Sequence, residues 1–164
     1  MTAPLFRELA EVMAKETECY RRLSALAGEQ RDILVSSKIE ALPDNVRSGE
    51  KQVFQLGPLA GRRNELLAEI GKTLGVKKMD LAQAIQAAPG EVSEVFRESA
   101  LLLAKTAREL EALNQGNDKL LRNALSYVNF TLKAVRTAGR PSAARAGAEK
   151  PQTQAAPAFV NRTV

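Results

Sequence analysis

Apolar residues return every three and four positions along most of this chain, and that spacing admits an amphipathic α-helix and little else. Leu5, Val12, Cys19, Leu26 and Ile33 form one row, a residue every seventh position. Phe6, Met13, Tyr20, Ala27 and Leu34 form a second. A third, Leu9, Glu16, Leu23, Gln30 and Ser37, starts apolar and turns polar. Three adjacent rows make a stripe wide enough to face two neighbours, as in a bundle. The pattern predicts a first helix over about residues 4–35. Ser37 with Glu40 fits a capping box for the next one.

A second stripe runs Ile39, Leu42, Val46, Gly49, Val53, Leu56, Ala60, Arg63, Leu67, Ile70 and Leu74. Pro43 and Pro58 fall within it, and each removes a helical hydrogen bond and crowds the turn before it. The unbroken phase predicts a helix that kinks and continues. Pro43-Asp44 also fits a fresh start near Asp44. Gly75 is a natural stop. Asp80 can cap a short helix bearing Leu81, Ala84 and Ile85, which ends at Pro89-Gly90. The longest stripe follows: Val92, Phe96, Ser99, Leu103, Thr106, Leu110, Leu113, Asn117, Leu120, Ala124, Tyr127, Thr131 and Ala134. From Leu121 a second row joins it, through Leu125, Val128, Leu132 and Val135. A helix over 91–136 would be roughly 70 Å long.

The expected fold is all-α: an antiparallel helical hairpin, a short helix, and a long third helix, arranged as a three-helix, coiled-coil-like bundle. Helices joined by a short turn are antiparallel neighbours. Ala, Leu, Glu, Lys and Arg, the strong helix formers, dominate the chain, whereas β-branched runs are few. The helical domain is expected over 1–136. Residues 137–164 carry eight alanines, three prolines and two glycines without apolar period, and read as a disordered tail. The long helix is longer than either hairpin arm, so part of its apolar stripe lacks a partner within the chain.

The residue inventory argues against an enzyme or a cofactor site. There is no histidine, and Cys19 is the only cysteine, so a disulfide, a zinc knuckle and the commonest general base are all absent. Cys19 lies on the core stripe, where it serves as a small apolar filler. Glu109 and Glu111, two positions apart, do not face each other on a helix. The first residues, Met1 to Glu8, carry charge where a secretory leader is apolar, and the longest apolar run, Ala100 to Ala104, is far too short to span a membrane. A cytoplasmic location is expected, with no membrane insertion. The net charge is +5. Residues 1–136 hold 20 basic and 18 acidic side chains, so more than half of the excess lies in the short tail. Balanced charge in the body and scarce aromatic rings weigh against a helical nucleic-acid-binding protein.

Two groups on the long helix invite a sharper reading. Asn114 and Asn117 could set register between helices, as a buried asparagine does, or contact a partner directly. Gly116 marks a weak point or a close approach. Leu121, Leu125, Val128, Leu132 and Val135 are either bundle core or a face that takes an amphipathic helix from another protein. Tyr127 suits both. A general coiled-coil adaptor remains an alternative.

The motif Leu113-Asn114-Gln115-Gly116-Asn117-Asp118-Lys119-Leu120-Leu121, followed by Ala124-Leu125-Ser126-Tyr127-Val128, resembles the signature of the FlgN family of flagellar export chaperones. Glu18 and Tyr20 before Leu23 and Leu26, Gln30-Arg31 before Ile33-Leu34-Val35, and Arg63 with Leu66-Leu67 and the Leu74-Gly75 break are similar too. The likeness spans residues 5–136. It implies a cytoplasmic chaperone that holds hook–filament junction proteins by their terminal helices and delivers them to the type III export gate; another secretion chaperone is the runner-up. The resemblance places cargo binding on the second half of the long helix, hence on Asn114, Asn117, Leu120, Leu121, Leu125, Tyr127, Val128, Leu132 and Val135. It also implies that the tail docks to the gate. Many relatives carry a tail tyrosine for this. No tyrosine follows Tyr127 here, and Phe159 is the substitute candidate. The oligomeric state is left open.

Overall fold

The computed structural model describes residues 2–138. The tail expected over 137–164, apart from its first two residues, and Phe159 lie outside the described residues. The fold is all-α. Helix α1 is Ala3–Ser36, a 3-10 turn follows at Ile39–Ala41, α2 is Leu42–Leu74, α3 is Leu81–Ala87 and α4 is Gly90–Ala138. The chain divides into two compact units, one ending at Ala124 and one beginning at Leu125.

Local chemistry sets the ends. Pro4 sits in the first turn of α1 and Pro43 in that of α2, where a missing N–H costs nothing. Pro43 thus marks a start, at Leu42, rather than a kink, whereas Pro58 lies inside the helix. The capping box expected at Ser37 and Glu40 does not form. Ser37 instead closes α1 in a left-handed conformation at φ 58°, and the Lys38 N–H reaches back to Ile33 O at 3.1 Å. That backward bond satisfies an orphan carbonyl and takes Ser37 away from the next helix. Gly75 closes α2 the same way, with φ 73° and Val76 N donating to Gly71 O at 2.8 Å. Asp80 caps α3 as expected: Gln83 N donates to Asp80 Oδ1 at 2.7 Å, and Asp80 N donates to Gln83 Oε1 at 3.0 Å.

Pairings within the first unit fix helix directions. Asn45 Nδ2 donates to Leu26 O at 2.9 Å, while Arg63 stands beside Glu16. Numbers fall on α2 as they rise on α1, so the two are antiparallel. Phe96 packs on Phe6 and Asn117 bonds to Ala27, so numbers rise together and α4 runs parallel to α1.

The core is uneven along this bundle. Its near half holds Phe6, Leu9, Val12 and Met13 of α1, Leu66, Leu67 and Ile70 of α2, Met79, Ala84 of α3, and Val92, Phe96, Ala100 and Leu103 of α4, all buried. Phe6 and Phe96 meet edge to face, with centroids 5.1 Å apart. Each large side chain buried here contributes about 1.5–3 kcal/mol. The far half, beyond Met13 on α1, before Leu66 on α2 and after Leu103 on α4, buries Glu16, Thr17, Asn45, Thr106 and Asn117. Its buried apolar side chains are Cys19, Ala27, Leu56 and Leu110.

Glu16 is fully buried on the face of α1 toward Arg63, whose Nη1 stands 3.3 Å from Oε1 and donates to Oε2 at 3.4 Å. Oε1 has no hydrogen-bond partner among the described residues. Burial pushes the Glu16 carboxyl above its ordinary value, and Arg63 only partly offsets it.

Two stability outcomes follow from this packing. A Cβ at Gly71 would lie 2.9 Å from Val76 O and 3.2 Å from Met79 Cβ, whereas one at Gly116 meets nothing within 4 Å. Gly71→Ala is therefore expected to destabilise by about 1–3 kcal/mol, and Gly116→Ala to stabilise by about 0.5–1 kcal/mol, as read from denaturant unfolding. The second outcome concerns pH. The folded state holds the Glu16 proton more tightly than the unfolded chain. The stability this carboxyl lends is full below the ordinary carboxylate range and is lost as pH rises through the raised value. Glu16→Gln removes that titration. Relative to the native chain it is expected to be less stable at about pH 4 than at about pH 8; urea midpoints at both values check the direction.

Candidate functional site

The second unit is described by itself, as the helical stretch from Leu125 to Ala138. Every residue in this stretch is exposed. Leu125, Val128, Leu132 and Val135, spaced three, four and three, form one apolar stripe. Tyr127 and Phe130, 73% and 72% exposed, lie on other sides of the helix. The threonine hydroxyls are turned back onto the helix. Thr131 Oγ1 donates to Tyr127 O at 3.0 Å and Thr137 Oγ1 to Lys133 O at 2.7 Å, both within the helix's own backbone. Lys133 and Arg136 are the charged residues here, and no carboxylate accompanies them. Ser126, Asn129, Lys133 and Arg136 fall together on one polar side, so the stretch is amphipathic, with apolar side chains on the rest of its circumference. A stretch this short has marginal helicity of its own in water. The chemistry on offer is non-covalent: a helical surface of leucine, valine and two aromatic rings, suited to another amphipathic helix.

The remaining candidates belong to the first unit, and the structure sorts them. Asn117 is buried: its Nδ2 donates to Ala27 O at 2.8 Å and to Gln30 Oε1 at 2.9 Å. It ties α4 to α1, the geometry of a register-setting asparagine. Asn114 is exposed, and Leu120 and Leu121 are half-buried. Gly116, between the asparagines, faces open space and serves no close approach.

Two features escaped the sequence reading. Phe130 lies off the three-four rows, so periodicity passes over it; the scarcity of aromatic residues in the chain was the available signal. Phe54 is 83% exposed and borders an open groove of about 530 Å³ between α1 and α2, lined also by Cys19, Pro58 and Leu59. Nothing in the stripe of α2 marks it, because Phe54 sits one position beyond Val53.

Among the described residues no group of His, Cys, Asp or Glu is arranged to hold a metal ion, and no helix is long and apolar enough to cross a membrane. No curated protein and no solved structure matches the chain significantly. The family model described as FlgN protein matches residues 1–147, through all four helices. With a match over most of its length, and with the helical order and asparagine-bearing α4 described above, the chain belongs to the FlgN family of flagellar export chaperones.

Proposed function

We propose that this chain binds hook–filament junction proteins in the cytoplasm, covering their terminal helices with the apolar surface of Leu125–Ala138, and that it delivers them to the export gate without catalysing any reaction. The observation that carries this reading is the run of exposed helical residues containing Leu125, Tyr127, Val128, Phe130, Leu132 and Val135. Soluble monomers rarely leave so many large apolar side chains contiguous in water unless a partner covers them. Helix-in-groove recognition uses anchors at this spacing. The charged side chains of that stretch, Lys133 and Arg136, are both cationic, which favours a cargo helix with carboxylates on its rim. Asn114, Leu120 and Leu121, in the first unit, are proposed as cargo contacts in their own right, and Asn117 supports them by holding α4 in register.

Leu125→Asp and Val128→Asp test this directly. Both positions are about half exposed, so the bundle core does not depend on them. Each variant is expected to weaken binding of a junction-protein C-terminal fragment about 100-fold, the equivalent of ~2.7 kcal/mol, with an unchanged thermal unfolding midpoint. Unfolding of the whole protein by either change would make the stripe core and defeat the reading.

The tail is assigned a separate task. Truncation after Arg136 is expected to leave binding of purified cargo within about twofold and to reduce its secretion in cells, with Phe159→Ala reproducing the secretion defect. Secretion at the native level from both variants would remove the tail from delivery.

A further inference from the structure

The two halves of the bundle are built from different material. In the near half the buried side chains of the three long helices are apolar, and Phe6, Leu9, Met13, Leu66, Ile70 and Phe96 are buried essentially completely. The far half combines four weaknesses. Its buried positions include Glu16, Thr17, Asn45, Thr106 and Asn117. Its polar atoms are incompletely matched: Glu16 Oε1, Ser24 Oγ, Gln52 Oε1 and Asn117 Oδ1 are buried without a hydrogen-bond partner among the described residues, and all four belong to this half. Unmatched buried polar atoms favour any state that lets water reach them. Its helices are also poor in intrinsic propensity. Gly28, Gly49, Gly57, Gly61 and Gly116 all fall here, and none is required by a close approach, since an added Cβ at each meets nothing within 4 Å. Finally, Pro58 interrupts the hydrogen bonding of α2 in the same half. Gly71, the glycine of α2 that packing does demand, lies in the near half.

We infer that the far half of the bundle opens as a unit while the near half stays folded. Residues 21–33 of α1, 45–58 of α2 and 106–121 of α4 separate together, and the near-half core, with Tyr20 and Leu59 packed against it, remains as the anchor from which they re-form. Local openings of this kind follow low apolar burial and weak backbone bonding. The hydrogen bonds that join these segments to one another, Asn117 to Ala27 and Gln30 and Asn45 to Leu26, then act as a zip that restores register on closing. Opening exposes the inner stripe of α4 around Leu110 and Leu113, a surface that the closed bundle withholds.

Amide hydrogen exchange on the full chain without any partner tests this, so its outcome is separate from that of the cargo-binding experiment. Amides of 21–33, 45–58 and 106–121 are expected to exchange at least about tenfold faster than those of 6–13, 66–71 and 92–103. Equal protection of the two sets would overturn the inference. Ile70→Val, in the near core, supplies a second reading. It is expected to speed near-half exchange about three- to tenfold and to leave far-half exchange unchanged, because the far half opens without disturbing Ile70. Acceleration of both halves by the same factor would mean one cooperative unit and would also overturn it.

Discussion

An apolar helical stripe has to be covered, and the lengths of these helices decide how much cover the chain can give itself. Helix α4 has 49 residues, against 34 in α1 and 33 in α2. At about 1.5 Å per residue, α4 is longer than either partner by more than 20 Å. The stripe nevertheless continues to Val135 in phase. The excess is not trimmed by polar substitution, as it would be if water were its intended neighbour. Leucine, valine, tyrosine and phenylalanine occupy it. An interaction protein is the physical consequence, and membership of the FlgN family gives that consequence a setting.

Stability and specificity are divided along the first unit. The near half supplies burial, through the Phe6–Phe96 contact and the aliphatic residues around it. The far half supplies register. A buried asparagine or ion pair adds little net stability, because desolvation consumes most of the attraction. Misalignment, however, would strand Asn117 or Glu16 without its partner, and a stranded buried polar group is costly. Asn117 therefore holds α4 against α1 at one setting, and Arg63 with Glu16 does the same for α2 against α1.

Much of this was legible in the sequence, for definable reasons. Helices leave a three-four record, so all four were readable to within two or three residues, and Gly75 and Asp80 announced their roles through left-handed permissiveness and side-chain capping. Ser37 was not readable. A serine is a better N-cap than a left-handed C-cap on propensity alone, and the choice depended on Lys38 reaching Ile33. For Asn117 the sequence posed the choice between register and cargo, and only its distances to Ala27 and Gln30 show which partners it has. Of the candidate site, the Leu125–Val135 row was visible as a row and helix length implied that part of the stripe lacks a partner, but period alone could not tell which part is uncovered. Phe130 was missed because it belongs to no row.

The proposed function requires Leu125–Ala138 to be the surface that a partner covers. Nuclear magnetic resonance on the isotopically labelled chain, titrated with an unlabelled C-terminal fragment of a hook–filament junction protein, tests that most directly. Amide shifts are expected to change at Leu125, Tyr127, Val128, Phe130, Leu132 and Val135, while those of the Phe6–Phe96 core stay in place. Shifts that changed around the Phe54 groove, with residues 125–138 unmoved at saturation, would contradict it.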